Sequence, residues 1–287
     1  MRPPYSYLII FLLLLSPHIT SAQENQVTEY FNTGEKKSVG LKNAAGFPTG
    51  DWVYYRKDGA IDTKLSFNGS DNPVGPFEMY YRNGQLQTKG SYASEGFYSM
   101  DGPYEDYYSN GQLRSKGVYK ENRSVGSWMG YWENGQLKSK TTYSSEGVII
   151  SNTEYHSNGN LRLDATYTDK GDFTGNLNIY YQDGTLFTSQ EFDALGNKKG
   201  VYTSFYKNGS IKEQGEYAGI DYFKKKGAWK SFYKDGALQM MVTYDNKGNL
   251  LSIKRYDTNG DLIPEKEWYR SCFRESVISS YLLVIAL

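Results

Sequence analysis

Few residues in this chain have the types that chemistry asks for, and a local pattern accounts for each of them. Beyond the first 22 residues there is one histidine, His156. A Ser/His/Asp relay would need that imidazole held by partners from elsewhere in the fold, and nothing singles such partners out. Other copies of the same motif carry Tyr or Trp at this position, so His156 reads as a strand residue in an aromatic's place. The single cysteine, Cys272, cannot form an internal disulfide, and no Cys/His cluster offers zinc ligands. Asp58, Asp183 and Asp235 resemble paired acids until the following glycines are noticed; they stand where other copies place Asn. EF-hand spacing is absent, as is a phosphate-cradling glycine loop with Lys. The run Lys224-Lys225-Lys226 is expected in a long solvated connector. Asn68-Gly-Ser, Asn122-Arg-Ser and Asn208-Gly-Ser match the glycosylation pattern. The expectation is a chain that is not an enzyme, with no catalytic residues, no metal, no cofactor and no small-molecule substrate.

What must position these residues is a repeat. Ten times, at intervals of 24 to 27 residues, aromatic residues lead into a turn glycine; in nine copies Asn or Asp precedes it and Leu or Ile follows, while the first copy has Thr33 and Lys36 at those places. The plainest copies are YYRNGQLQTKGSY (80–92), YYSNGQLRSKGVY (107–119) and YWENGQLKSKTTY (131–143). The turn glycines are Gly34, Gly59, Gly84, Gly111, Gly135, Gly159, Gly184, Gly209, Gly236 and Gly260. A small unit copied at fixed spacing is the signature of a repeat array. Asn-Gly between alternating apolar residues predicts β-hairpins closed by two-residue type I′ turns.

Counting outward from such a turn, Tyr81 faces Leu86, Tyr80 faces Gln87, Met79 faces Thr88, Glu78 faces Lys89 and Phe77 faces Gly90. Opposite charges then meet at Glu78–Lys89 and Glu105–Lys116. Rings seven before the turn glycine fall opposite Gly90, Gly117 or Gly215, and rings eight after it fall opposite Gly75, Gly102 or Gly126. Bare backbone there leaves room for a ring. The opposite face carries one aromatic per copy, four residues before the turn glycine. In the interior copies these are Tyr80, Tyr107, Tyr131, Tyr155, Tyr180, Phe205 and Phe232. They are the candidate binding residues, because flat exposed rings can stack on a partner.

A lone hairpin is marginal in water, so each must lean on its neighbours. The predicted fold is all-β: a repeat solenoid, an elongated antiparallel β-meander of about ten stacked hairpins. It would run about 95 Å if straight, at roughly 4.8 Å per strand, and twist should curl it into a ribbon or half-pipe. No segment shows a sustained helical period. Three domains follow. Residues 1–22 read as a signal peptide, with Arg2, an apolar run from Tyr7 to Leu15 and small residues before Gln23. Residues 23–269 hold the array. Residues 270–287 form a tail whose last stretch, VISSYLLVIAL, is apolar but too short to span a bilayer. That tail is a capping element over the last repeat, a sorting or docking tail, or a reading-frame artefact.

The whole chain holds 32 Lys and Arg against 32 Asp and Glu. A balance this even gives no overall electrostatic footprint for nucleic acid. Export with one cysteine leaves stability to the sheet.

The residues Tyr-Tyr-x-Asn-Gly-x-Leu, followed by Lys-Gly and a closing Tyr, resemble the MORN repeat (membrane occupation and recognition nexus). The likeness is to the variant form found in exported bacterial proteins, and it covers roughly residues 24–268. The resemblance implies a protein partner, since members are often labelled antitoxin-like, and its name implies membrane contact. The leading expectation is an exported scaffold, in the periplasm, cell envelope or medium, that binds a protein through its sheet. A glycan, cell-wall or membrane surface is the alternative, as is pairing with a toxin.

Overall fold

The structure, a computed structural model, describes residues 25–94, 98–217 and 224–267. The predicted signal peptide, Cys272 and the apolar tail lie outside the described residues. Among the described residues nineteen strands follow one another. The first nine are β1 (Asn25–Tyr30), β2 (Lys36–Lys42), β3 (Pro48–Tyr55), β4 (Ile61–Asn68), β5 (Pro73–Tyr80), β6 (Leu86–Tyr92), β7 (Gly102–Tyr107), β8 (Leu113–Lys120) and β9 (Arg123–Tyr131). Then come β10 (Leu137–Tyr143), β11 (Ile149–Tyr155), β12 (Leu161–Tyr167), β13 (Phe173–Tyr180) and β14 (Leu186–Phe192). The last are β15 (Lys198–Phe205), β16 (Ile211–Tyr217), β17 (Lys225–Phe232), β18 (Leu238–Tyr244) and β19 (Leu250–Arg255). Each pairs antiparallel with the next in sequence, giving one open sheet as the repeat predicts. The tenth copy is reduced to a turn at Gly260 and a single bridge, Tyr256 to Leu262.

The turns differ from the expected type. At the third copy, Gly84 N donates to Tyr81 O (2.9 Å) while Tyr81 N donates to Gln85 O (2.8 Å). Gly84 has φ 83°, and Asn83 is not among the positive-φ residues. This is a type I turn closed by a left-handed glycine, a G1 bulge, not a type I′ turn. Asn precedes the glycine for its side chain: Asn83 Oδ1 accepts from Gln85 N (3.1 Å). This turn moves the pairing by one residue, so Tyr80 faces Leu86 rather than Gln87 and Tyr81 enters the turn; a second irregularity, between Met79 and Tyr80, takes the residue up again. Beyond it the predicted pairs Met79–Thr88, Glu78–Lys89 and Phe77–Gly90 hold. Among the described residues the one two-residue turn with positive φ at both centres is Glu121 (50°) and Asn122 (65°), between the paired Lys120 and Arg123.

The connectors are tight hairpins too. Gly46, Gly147, Gly171, Gly196 and Gly248 close the same turn, each 12 residues after a turn glycine of the first kind. Nor is Lys224-Lys225-Lys226 a connector, because Lys225 and Lys226 open β17 opposite Tyr217 and Glu216.

One layer of sheet has no second layer to bury rings, so they bury one another sideways. Trp52, Phe77 and Trp229 are only 2–3% exposed, and Ala165, Phe192 and Val242 join them. All lie on one face. Trp229 packs against Tyr202 and Tyr217, with centroids 5.8 and 4.8 Å away. Burying a large side chain contributes about 1.5–3 kcal/mol, so these clusters, with the ladder hydrogen bonds, hold the array.

The glycine pockets are only partly as expected. Phe77 covers its own partner Gly90, where an added Cβ would lie 2.8 Å from the ring. Gly117 and Gly215 are covered instead by Trp128 and Trp229 of the following hairpin, and Gly40 likewise by Trp52. Each indole N–H then donates to the carbonyl just past its glycine: Leu41, Val118 and Glu216. The pairings Tyr92–Gly75, Tyr119–Gly102 and Tyr143–Gly126 are in register as predicted. Yet Gly75 and Gly126 have open space around a notional Cβ and φ near 65°, so backbone conformation explains them.

Candidate binding surface

The seven candidate rings close strands β5, β7, β9, β11, β13, β15 and β17, one per hairpin. Successive members stand two strands apart, about 9.6 Å at 4.8 Å per strand. All seven are half-buried. Among the ring pairs of the described residues, none joins two members of the row, so they do not form a stacked ladder. In three of them the hydroxyl turns to the residue two before it. Tyr80 donates to Glu78, Tyr107 to Glu105, and Tyr131 Oη lies 3.4 Å from Met129 Sδ. The Lys64 amine sits 5.1 Å from the Tyr80 ring centre.

Charges flank the row. Glu78 and Glu105 face Lys89 and Lys116 as expected, but their closest ion pairs reach across to the preceding hairpin. Glu78 binds Lys64 at 3.3 Å and Glu105 binds Lys89 at 2.9 Å. The reason is that Lys64–Glu78 and Lys89–Glu105 are also cross-strand neighbours, so each glutamate has a lysine on both sides. The Tyr80 hydroxyl holds the Glu78 carboxyl below its usual value, and Lys64 adds to this against the effect of burial. Glu105 is lowered the same way by Tyr107 and then Lys89. Two shallow grooves of about 330 and 320 Å³ lie between these hairpins. Pro76 and Glu78 line both, with Lys64 on one side and Lys89 and Pro103 on the other.

The same seven residues serve the scaffold through their carbonyls, which sequence reasoning missed. The residue three before each turn glycine donates to the carbonyl four before the next one. Tyr81 Oη donates to Tyr107 O (2.7 Å), Tyr108 Oη to Tyr131 O (2.8 Å) and Trp132 Nε1 to Tyr155 O (3.2 Å). Tyr181, Tyr206 and Tyr233 continue the series to Phe205, Phe232 and Tyr256. Arg56 serves Tyr80. His156 belongs to this ladder, its Nε2 3.0 Å from Tyr180 O, which accounts for the lone imidazole in an aromatic's place. The signal in the sequence was that this position always carries a side chain able to donate, except in the end copies, where Phe31 and Asp257 stand. A second strand of the stitch runs through the turn amides. Asn83 Nδ2 donates to Ser109 O (2.8 Å), and Asn134, Asn158 and Asn208 repeat the bond.

Two buried polar groups stand apart. Asp106 takes Arg114 Nε on one oxygen and Gln190 donates to Glu191 O and Lys199 O, while Asp106 Oδ1 and Gln190 Oε1 have no protein partner among the described residues. No three His, Cys, Asp or Glu among the described residues converge to hold a metal. No described helix is long and apolar enough to cross a membrane.

No curated protein matches the chain. Among solved structures, one titled "Crystal Structure of TcdB2-TccC3" is 12% identical over 82% of this chain and 16% of that one, with TM-score 0.18. A Tc holotoxin pore from Photorhabdus luminescens is 12% identical over 83% and 16%, with TM-score 0.17. The chain thus spans about a sixth of the length of those proteins, and likenesses this slight do not bear on its function. The repeat itself is another matter. Residues 73–94, 100–121, 124–145, 198–218 and 225–246 match the MORN repeat variant. With the same turn and register running through the intervening units, the chain is a MORN-repeat protein of the variant type.

Proposed function

We propose that the chain is a non-enzymatic, exported scaffold that binds another protein through the face of the sheet bearing Tyr80, Tyr107, Tyr131, Tyr155, Tyr180, Phe205 and Phe232. One observation carries this reading. Half-exposed rings recur once per hairpin, closing every second strand from β5 to β17, on a face that no other described element covers. Rings with a wet hydroxyl suit protein interfaces, giving contact area at low entropic cost. Repeat sheets present such surfaces as extended rather than pocketed sites.

Capture from the native envelope tests it, with residues 23–269 as bait beside a Tyr107→Ala, Tyr131→Ala, Tyr155→Ala variant. Specific capture lost in the variant supports the reading. Equal capture by both moves the site elsewhere on the molecule. Turnover abolished by one substitution would end the non-enzymatic reading. A toxin as the captured partner would agree with the antitoxin-like label carried by related chains.

The spaced, half-exposed rings also suit a glycan, whose sugar faces stack on flat aromatics. Retention on cell-wall material, lost in the same variant, would favour that second reading.

A further inference from the structure

The even overall charge hides a division along the array. Residues 25–197 carry 16 Lys and Arg against 21 Asp and Glu, a net −5. Residues 198–255, which make β15 to β19, carry 12 against 5, a net +7. Four of the five acids of this segment are already engaged, and the fifth, Asp221, lies outside the described residues. Glu213 pairs with Lys225 and Glu216 with Lys226, both at 3.1 Å. Asp245 holds its own turn through Lys247 N and Asn249, and Asp235 does the same through Ala237 N.

One row of the ring-bearing face shows the change. Across β4 to β8 it reads Lys64, Glu78, Lys89, Glu105, Lys116, each opposite the next. Across β16 to β19 it reads Gln214, Lys230, Met241, Lys254, again each opposite the next. The acid has gone and the lysines remain. Lys230 and Lys254 make no ion pair among the described residues, nor does Lys212, whose amine stands 5.9 Å from the centre of the Tyr206 ring. Phe232 and Met241 are half-buried beside them.

We infer that this basic end of the sheet docks an acidic, extended segment of the protein partner, laid across the strands along Lys230, Met241 and Lys254. The inference rests on the protein-binding reading above and names the chemistry of its partner. Charge complementarity selects the sign: three lysines without carboxylates meet acids at lower cost than any neutral surface. Spacing selects the form. Lys230 and Lys254 stand two strands apart, about 9.6 Å, and residues i and i+3 of a polyproline II chain are separated by about 9.3 Å. Acids at every third position would therefore meet both lysines, with an apolar residue over Met241, which adapts its shape readily. The apolar strip between the lysines is one strand wide, which suits a single chain better than a lipid surface.

The test uses the mature chain and a synthetic peptide with Glu at every third position and Leu and Pro between, followed by fluorescence anisotropy at low and high salt. The expected result is saturable binding that salt weakens, and a loss of about tenfold or more in affinity in Lys212→Glu/Lys230→Glu/Lys254→Glu. The variant Lys37→Glu/Lys57→Glu/Lys170→Glu, at exposed positions away from the ring row and from β16 to β19, makes the same change in net charge and should bind as the parent does. Circular dichroism on both variants reports folding, and Lys→Gln at the same three positions should give an intermediate loss if either Glu variant unfolds. Equal loss in the two triple variants would overturn the inference, as would no peptide binding at all. So would binding to phosphatidylserine vesicles but not to the peptide, or self-association of the chain that the first variant abolishes. A captured native partner that ignores the Lys212 triple variant would sink this site and leave the scaffold reading standing.

Discussion

Gly215 and Trp229 show how one pair of residues joins two hairpins. A methyl group on Gly215 would sit 2.4 Å from the indole. Gly215→Ala should therefore cost about 1–3 kcal/mol by overpacking, and Trp229→Ala about 3–5 kcal/mol. In the double variant the costs should fall short of their sum, because the clash vanishes with the ring; urea denaturation of all four proteins measures this. Strict additivity would mean the ring does not rest on that glycine. Asn83 separates two roles in a single side chain. Asn83→Asp keeps the oxygen that accepts from Gln85 N and loses the donor to Ser109 O, for about 0.5–1.5 kcal/mol. Asn83→Ala loses both and should cost more. Asp58, Asp183 and Asp235 are natural versions of the first change. The sequence marked the turn here correctly and its dihedral wrongly. Asn-Gly is written identically whether Asn is needed for a left-handed backbone or for its carboxamide oxygen, and only the following hydrogen bond distinguishes them.

Among elements, the hairpins were legible and the joints between them were not. Register within a hairpin follows from alternation and the turn glycine, so Phe77–Gly90 and Tyr92–Gly75 could be counted out. Register between hairpins depends on a second turn, whose glycines at 147, 171, 196 and 248 follow residues of no fixed type. It depends also on bulges such as that between Gln214 and Glu216, which bring Trp229 over Gly215. The candidate rings were placed on the right face, but their main-chain part in the inter-hairpin stitch was invisible. A tyrosine kept for its hydroxyl looks the same as one kept for its ring. Tyr181→Phe separates the two, since it keeps the ring and removes the donor to Phe205 O. It should lower stability by about 0.5–1.5 kcal/mol and speed amide exchange in β13 to β16 more than elsewhere. Unchanged exchange there would reduce the stitch to ornament.

For the whole molecule, acid response follows from carboxylates spread along its length. Glu78, Glu105, Asp193 and Asp245 are all held below their usual values. Tyr80 and Tyr107 hydroxyls are the main cause for the glutamates, and the Asn197 and Asn249 side chains for the aspartates. A folded-state pKa lower than the unfolded one gives stability that is complete above the unfolded value. That stability is lost as pH falls through the folded value. The melting temperature should thus be level from neutral to mildly acidic pH and drop below the usual carboxylate range, as calorimetry across pH would record. A melting temperature that rose on acidification would contradict it. The summed charge of the chain concealed its division into a −5 stretch and a +7 stretch, because a total carries no position. One further consequence lies in the stitch itself. Each unit brings both the donor for the unit ahead and the acceptor for the unit behind, and only Phe31 and Asp257 break the series. A gene duplicating or dropping one interior unit would leave no orphaned partner at the new junction, so array length is free to drift in descent while the two ends stay fixed.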